Sequence, residues 1–172
     1  FIYGPAGVGK THLLHAIKSE VEKTKKSLKS LYVSCDDFTK ELINSIRNNS
    51  TTDFAKKYRE LDFLLIDDLQ FLQSKEKTQE EFFHIFNSLH QSGKQIVLSS
   101  DRPPKSINME DRLLSRFEWG MVVDIQAPDY ETRLAIILSK ASDKNIELTD
   151  AVAEYLAENI NQNVRELEGA LN

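Results

Sequence analysis

A single cysteine, Cys35, stands among the 172 residues, so no intramolecular disulfide can form, and nowhere do Cys and His residues fall at metal-ligand spacing. Both absences fit a chain kept in a reducing cytosol and folded without covalent or metal staples. Apolar runs stay far short of the roughly 20 residues that span a bilayer, and the N-terminus shows no basic stretch followed by an apolar segment and cleavage site. The expectation is a soluble, cytoplasmic protein. Positive charge is scarce too: 22 Lys and Arg face 27 Asp and Glu, a net charge of -5. That balance excludes a surface that is basic all round, the footprint of a dedicated duplex-binding module, and confines any nucleic acid contact to a local patch. No internal repeat or low-complexity tract occurs, and the five lysines between Lys18 and Lys29 read as a solvated helix face and loop.

The hydrophobic content, 40%, is enough for one core-bearing domain with a small appendage. Apolar runs of strand length alternate with longer segments of helical period, the pattern of strand-helix-strand units around a parallel sheet. Strands are predicted at 1–3, 30–35, 62–66, 95–99 and 121–125, and helices at 10–24, 37–48, 52–60, 77–91 and 110–117. The fold class is α/β, a three-layer sandwich. After Pro128 no strand-like run appears, and three amphipathic segments follow at 129–142, 149–160 and 164–172. The division expected is an α/β subdomain over 1–127 and a small helical lid over 128–172. Phe1-Ile2-Tyr3 reads as the end of a strand, and Leu171 and Asn172 stop inside a helical pattern, so the chain reads as a piece of something longer.

Gly4-Pro5-Ala6-Gly7-Val8-Gly9-Lys10-Thr11 satisfies G-x-x-x-x-G-K-[ST] at every fixed position, directly after a strand and before a helix. Glycines let backbone N–H groups converge on phosphates, the helix N-terminus adds positive potential, Lys10 reaches the β- and γ-phosphates, and the Thr11 hydroxyl ligates magnesium. ATP or ADP with Mg2+ is the expected ligand. Leu64-Leu65-Ile66-Asp67-Asp68 is an apolar strand ending in two carboxylates, and a strand neighbouring the phosphate loop would bring both to the metal. Asp67 would hold the metal through water, and Asp68 would orient or deprotonate the attacking water.

Three further features stay open on the residues alone. Ile96-Val97-Leu98-Ser99-Ser100-Asp101 ends a buried strand in polar groups, and Asp101 either positions the attacking water or senses the γ-phosphate, or else caps a helix or turn. Arg112 and Arg116 lie four apart and share a helix face, so they either meet a phosphate together or pair with Glu110 and Asp111. Asn163 reads as a helix N-cap with Glu166 as its capping-box partner, which puts Arg165 in the first turn. A cation there opposes the helix macrodipole, so a nearby anion would account for it, as would tolerance at a surface.

In this order the motifs resemble those of the AAA+ ATPases. Within them Gly9-Lys10-Thr11-His12-Leu13-Leu14-His15-Ala16, Leu65-Ile66-Asp67-Asp68-Leu69-Gln70-Phe71, Ser115-Arg116-Phe117-Glu118-Trp119-Gly120 and the string from Asn163 to Asn172 resemble the DnaA family of bacterial replication initiators. The resemblance runs nearly the whole chain and corresponds to that family's central ATPase domain. It implies that Gly4, Gly7, Val8, Gly9, Lys10, Thr11 and His12 surround the nucleotide, with Asp101 as first sensor and Arg165 as second sensor. It implies that Arg116 is an arginine finger acting across a subunit boundary with Arg112 beside it. Ile43, Lys75 and Lys77 align with single-stranded DNA contacts, although residue character alone reads Ile43 as core and Lys77 as a solvated face. The implied activity is ATP-dependent assembly into a helical oligomer on origin DNA, with slow regulatory ATP hydrolysis. Duplex reading would lie in a separate C-terminal domain, and the replicative helicase and acidic phospholipids are implied partners of the full-length protein. A helicase-loader ATPase and an ADP-binding regulator share the fold and are the alternatives.

Overall fold

The computed structural model describes residues 1–161 and 163–171. Two compact units divide the chain, one formed by residues 1–3 and 10–124 and the other by residues 4–9 with the C-terminal segment from 125.

The larger unit is an α/β sheet domain. Its strands are β1 (Ile2–Tyr3), β2 (Ser30–Ser34), β3 (Phe63–Asp67), β4 (Gln95–Ser100) and β5 (Val123–Asp124), all parallel, in the order β2-β3-β4-β1-β5. Its helices are α1 (Lys10–Thr24), α2 (Cys35–Arg47), α3 (Thr51–Arg59), α4 (Glu76–Gln91) and α5 (Asp111–Phe117). Leu64, Leu65 and Ile66 of β3 are all buried, as expected of a parallel strand covered on both faces. Tyr3 pairs with Ser100 and Ile66 with Leu98, so β1, β4 and β3 end along one edge of the sheet. The strand order corrects one expectation: β3 does not neighbour the strand of the phosphate loop. β4 lies between them, which places its polar end, Ser99 to Asp101, beside the acidic end of β3.

Helix α2 starts two residues earlier than periodicity suggests. Ser34 ends β2 and at once caps the helix, its hydroxyl accepting from Asp37 N–H at 3.1 Å, so Cys35 becomes a buried helical residue. Asp36 and Asp37 add favourable charge to that first turn. The buried face of α2 is Phe38, Thr39, Leu42 and Ser45. Ile43 therefore points outward, 42% exposed, and is not the core residue that its apolar character suggests. An aromatic cluster fills the space between α2, α3, α4 and the sheet: Phe38 meets Tyr58 and Phe82 edge-on, and Phe82 meets Phe86 and Phe117. Tyr58 is fully buried and its hydroxyl donates to Glu41 Oε2 at 2.6 Å, while burial followed by that bond pushes the phenol upward from its ordinary value.

The second unit holds α6 (Tyr130–Asp143), α7 (Asp150–Asn159) and α8 (Val164–Ala170) around Ile137, Ala153, Ala157, Leu167 and Leu171. Ala153 and Ala157 lie one turn apart on the buried face of α7, where small side chains allow close approach of a neighbouring helix. Asp129 caps α6 by accepting from Thr132 N–H at 2.9 Å, immediately after Pro128. Arg133 donates to the carbonyls of Ala157 and Pro128, both at 2.8 Å, and so ties the start of α6 to the end of α7. No helix among the described residues is long and apolar enough to cross a membrane.

Candidate functional site

In the sheet unit, Asp67 is 3% exposed at the end of β3, and three hydroxyls converge on its carboxylate. Thr11, in the first turn of α1, donates to Oδ2 at 2.6 Å, Tyr32 of β2 donates to Oδ2 at 2.9 Å, and Ser99 of β4 donates to Oδ1. Burial of a polar group without partners is expensive, so this ring of donors is what lets the Asp67 side chain sit here. Burial first, and then its bond to the Asp67 carboxylate, pushes the Tyr32 phenol upward from its ordinary value and keeps it a neutral donor.

The next residue turns the chain sharply. Asp68 takes the left-handed conformation, φ 58° and ψ 50°, which Asp tolerates better than most residues do, and its N–H donates to Ser99 Oγ at 3.0 Å. Ser99 thus contacts both acids of the pair. From the short 3-10 turn Leu69–Leu72 that follows, Gln70 donates through Nε2 to Asp68 Oδ1 at 3.0 Å, and its Oε1 accepts from Asp101 N–H at 3.2 Å. One amide side chain bridges the acidic end of β3 to the residue that follows β4. The Asp101 carboxylate accepts two bonds from Arg102, each 2.7 Å, and this pairing, with Lys10 adding a weaker effect, holds it below the usual carboxylate range.

Residues 4–9 belong to the second unit, where their packing explains two glycines. A Cβ on Gly4 would lie 2.1 Å from the Ile125 carbonyl oxygen. Gly7 has φ +81°, and a Cβ there would lie 1.9 Å from Asn163 Oδ1, so neither backbone nor space admits another residue. The Gly7 carbonyl accepts from Val164 N–H at 3.0 Å, and Asn163 Oδ1 accepts from Arg165 N–H at 2.8 Å. Asn163 is thus the N-cap of α8, as its type and position imply, and its side chain caps Arg165, the second helical residue, where the capping-box reading would have it bond Glu166. The phosphate loop is clasped by the start of the helix that carries Arg165. Val8 is half-buried within the loop, and the chain runs from Gly9 into α1 with Lys10 buried, Thr11 half-buried and His12 exposed.

The two arginines of α5 have different surroundings. Arg112 lies over the Phe83 ring, 4.4 Å from its centroid, and pairs intramolecularly with Glu110. Arg116 lies over Trp119 at 4.3 Å. Among the described residues neither bonds to the Asp67–Asp101 network. Lys75 precedes α4 and reaches Asp36 of α2 at 3.5 Å, while Lys77 is exposed in the first turn of α4. Phe71, half exposed, adds an apolar side chain in the turn between β3 and α4.

The Thr11–Asp67 pair suits a magnesium ion bound with a nucleotide: a hydroxyl and a carboxylate in direct contact are hard oxygen donors, of which magnesium takes only one or two from protein. Among the described residues no group of three or more His, Cys, Asp or Glu could hold a metal alone, so the remaining ligands would be phosphate oxygens and water. Tyr32, Gln70 and Ser99 are the members of the network that sequence reasoning gave no role. Only Ser99 left a trace, as a polar residue ending an apolar strand.

A glycine loop clasped by α8 and leading in sequence into α1, whose Thr11 bonds Asp67 at the end of a parallel strand, defines a P-loop nucleotide-binding domain of the AAA+ class. Residues 1–124 match the family described as the bacterial DnaA ATPase domain, and the chain belongs to that family. It is 56% identical over 99% of its length to the chromosomal replication initiator protein DnaA of Thermoanaerobacter sp. (strain X514), and spans 39% of that relative. Domain III of the Thermotoga maritima replication initiation protein DnaA has a TM-score of 0.96 at 43% identity, with 99% of this chain and 72% of that one covered. A structure described as the replication initiator DnaA bound to AMPPCP and single-stranded DNA has a TM-score of 0.89 at 46% identity, covering 99% of this chain and 53% of the other.

Proposed function

We propose that this chain is the ATP-binding module of a replication initiator, in which nucleotide state controls assembly on single-stranded origin DNA. The observation that carries the reading is the hydrogen-bonded Thr11–Asp67 pair directly after a glycine loop whose backbone tolerates no side chain at Gly7. The relative bound to AMPPCP, an ATP analogue, and to single-stranded DNA supports it. Lys10 holds the β- and γ-phosphates, and Thr11 with Asp67 holds the magnesium that accompanies them, which screens the phosphate charge. Asp68 orients the attacking water, and Asp101 reads the γ-phosphate from the end of β4. Arg165 contacts the phosphates from the helical subdomain. Arg116, with Arg112 beside it, completes the site of a neighbouring molecule, so hydrolysis is slow until molecules assemble. Head-to-tail contacts of this kind generate open helical filaments. Exposed Ile43 and Lys77, with half-buried Lys75, suit a site that follows one DNA strand, combining an apolar contact with phosphate neutralisation. Contacts with the replicative helicase and acidic phospholipids are proposed for the full-length protein on the resemblance alone.

Sedimentation velocity of the intact protein tests this directly. With saturating ATP and magnesium, fast-sedimenting species should form at micromolar protein, and with saturating ADP they should be absent. Coincident profiles would remove the switch.

The Gln70 bridge carries a sharper expectation. Gln70→Leu removes both of its hydrogen bonds, and should slow ATP turnover in the assembled state roughly 10- to 100-fold, while ATP affinity changes less than about threefold. Single-turnover hydrolysis beside a binding titration separates the two effects, and an equal loss in both would assign Gln70 to folding of the site.

A further inference from the structure

Trp119 is the only tryptophan in the sequence, and it is 64% exposed, just beyond α5. One exposed aromatic means little by itself. This ring has a support and a load. Its support is a column of rings from the core: Phe86, 6% exposed, lies parallel to His90 at 6.1 Å, and His90 lies against Trp119 at 5.7 Å. Its load is the Arg116 guanidinium, centred 4.3 Å from the ring.

The contrast with neighbouring arginines is informative. Arg102 gives its donors to Asp101, and Arg112 pairs with Glu110. Among the described residues no carboxylate or carbonyl accepts from the Arg116 side chain. A guanidinium resting on a π-face is held through its plane, which leaves the N–H donors around its edge available for an anionic oxygen. A salt bridge would fix the same side chain by consuming those donors.

We propose that Trp119 is a positioning residue for Arg116, an aromatic rest that holds the guanidinium oriented with its donors open to the γ-phosphate bound by a neighbouring molecule. The proposal rests on the reading of Arg116 as a finger acting in trans. Trp119 contributes no donor of its own to that phosphate; it narrows the orientations that Arg116 samples before the neighbour arrives, and so raises the fraction of encounters that succeed.

The test compares Trp119→Leu, Trp119→Phe and Arg116→Ala in the intact protein by sedimentation with ATP. ATP affinity of the unassembled protein serves as the check on folding and is expected within about twofold of wild type for all three. Trp119→Leu keeps apolar bulk without a π-face and should raise the protein concentration needed for assembly about threefold to thirtyfold; Trp119→Phe should restore most of that loss. The part of the wild-type indole emission that is missing from Trp119→Phe provides a spectroscopic signature: it should shift to shorter wavelength on assembly with ATP, and stay unshifted in Arg116→Ala. A leucine variant that assembles at wild-type concentration overturns the proposal. Assembly at lower concentration overturns it too, since the ring would then be restraining the finger. Should Arg116→Ala assemble normally, the finger reading itself fails, whatever the leucine variant does.

Discussion

Lys10→Ala should weaken ATP binding by about 150-fold or more, with little change in the unfolding midpoint. Lys10 is 7% exposed at the first position of α1, where the proposed function has its ammonium meet the phosphates. Charge-assisted hydrogen bonds contribute about 1.5–3 kcal/mol each, and two phosphates within its reach bring the total to at least about 3 kcal/mol, or about 150-fold in affinity. Without nucleotide, the desolvation cost of the buried ammonium offsets the contacts it makes within the protein, so its removal leaves folding stability nearly unchanged. Isothermal titration with ATP, with Lys77→Ala as an exposed control expected within about twofold of wild type, measures the difference. An affinity within threefold of wild type would mean that Lys10 does not touch the phosphates.

The largest stability loss is expected at Phe82. Its ring is fully buried at the meeting point of Phe38, Phe86 and Phe117, with centroids 6.0, 6.1 and 6.3 Å away. Truncating a buried phenylalanine in a close-packed cluster costs about 3–5 kcal/mol, because the transfer energy of the ring is lost and neighbours anchored on α2, α4 and α5 cannot collapse into the cavity. Set against a typical total of about 5–15 kcal/mol, Phe82→Ala should lower the urea midpoint sharply or leave the domain unfolded at room temperature. Adjacent Phe83 is only partly buried and lies beneath the Arg112 guanidinium, so Phe83→Ala should cost less than half as much. Equal losses at the two positions would show that the cluster is not the tightly packed part of the core.

Much of this arrangement is legible in the residues themselves. Runs such as Leu64 to Ile66 and Ile96 to Leu98 have strand length and apolar continuity because parallel strands are covered on both faces, and the helices between them show their period. The phosphate loop and Asp67–Asp68 are equally plain, since their chemistry depends on residues close together in the chain. Strand order is not of that kind: periodicity reports which faces are buried, and says nothing of which strand lies beside which, so the insertion of β4 between β1 and β3 came only with the fold. Gln70 went unread for a related reason. Its two partners flank it on different strand ends, and a glutamine in a turn between Leu69 and Phe71 looks like any solvated residue until those ends are adjacent. Ile43 shows the opposite case. The period of Phe38, Leu42 and Ser45 excludes it from the buried face of α2, so its exposure was available from spacing once the phase of the helix was known.

The hydrogen bond from Val164 N–H to the Gly7 carbonyl joins residues far apart in the sequence. Closing so long a span costs more entropy than a local turn does, and contacts of that separation tend to form after local helices and neighbouring strands. During synthesis the phosphate loop emerges well before Asn163 and Val164 and, on this geometry, takes its native shape late, because those two residues must be made before it can be clasped. Competence to bind ATP then appears only after the segment that carries Asn163 and Val164 has been made and folded.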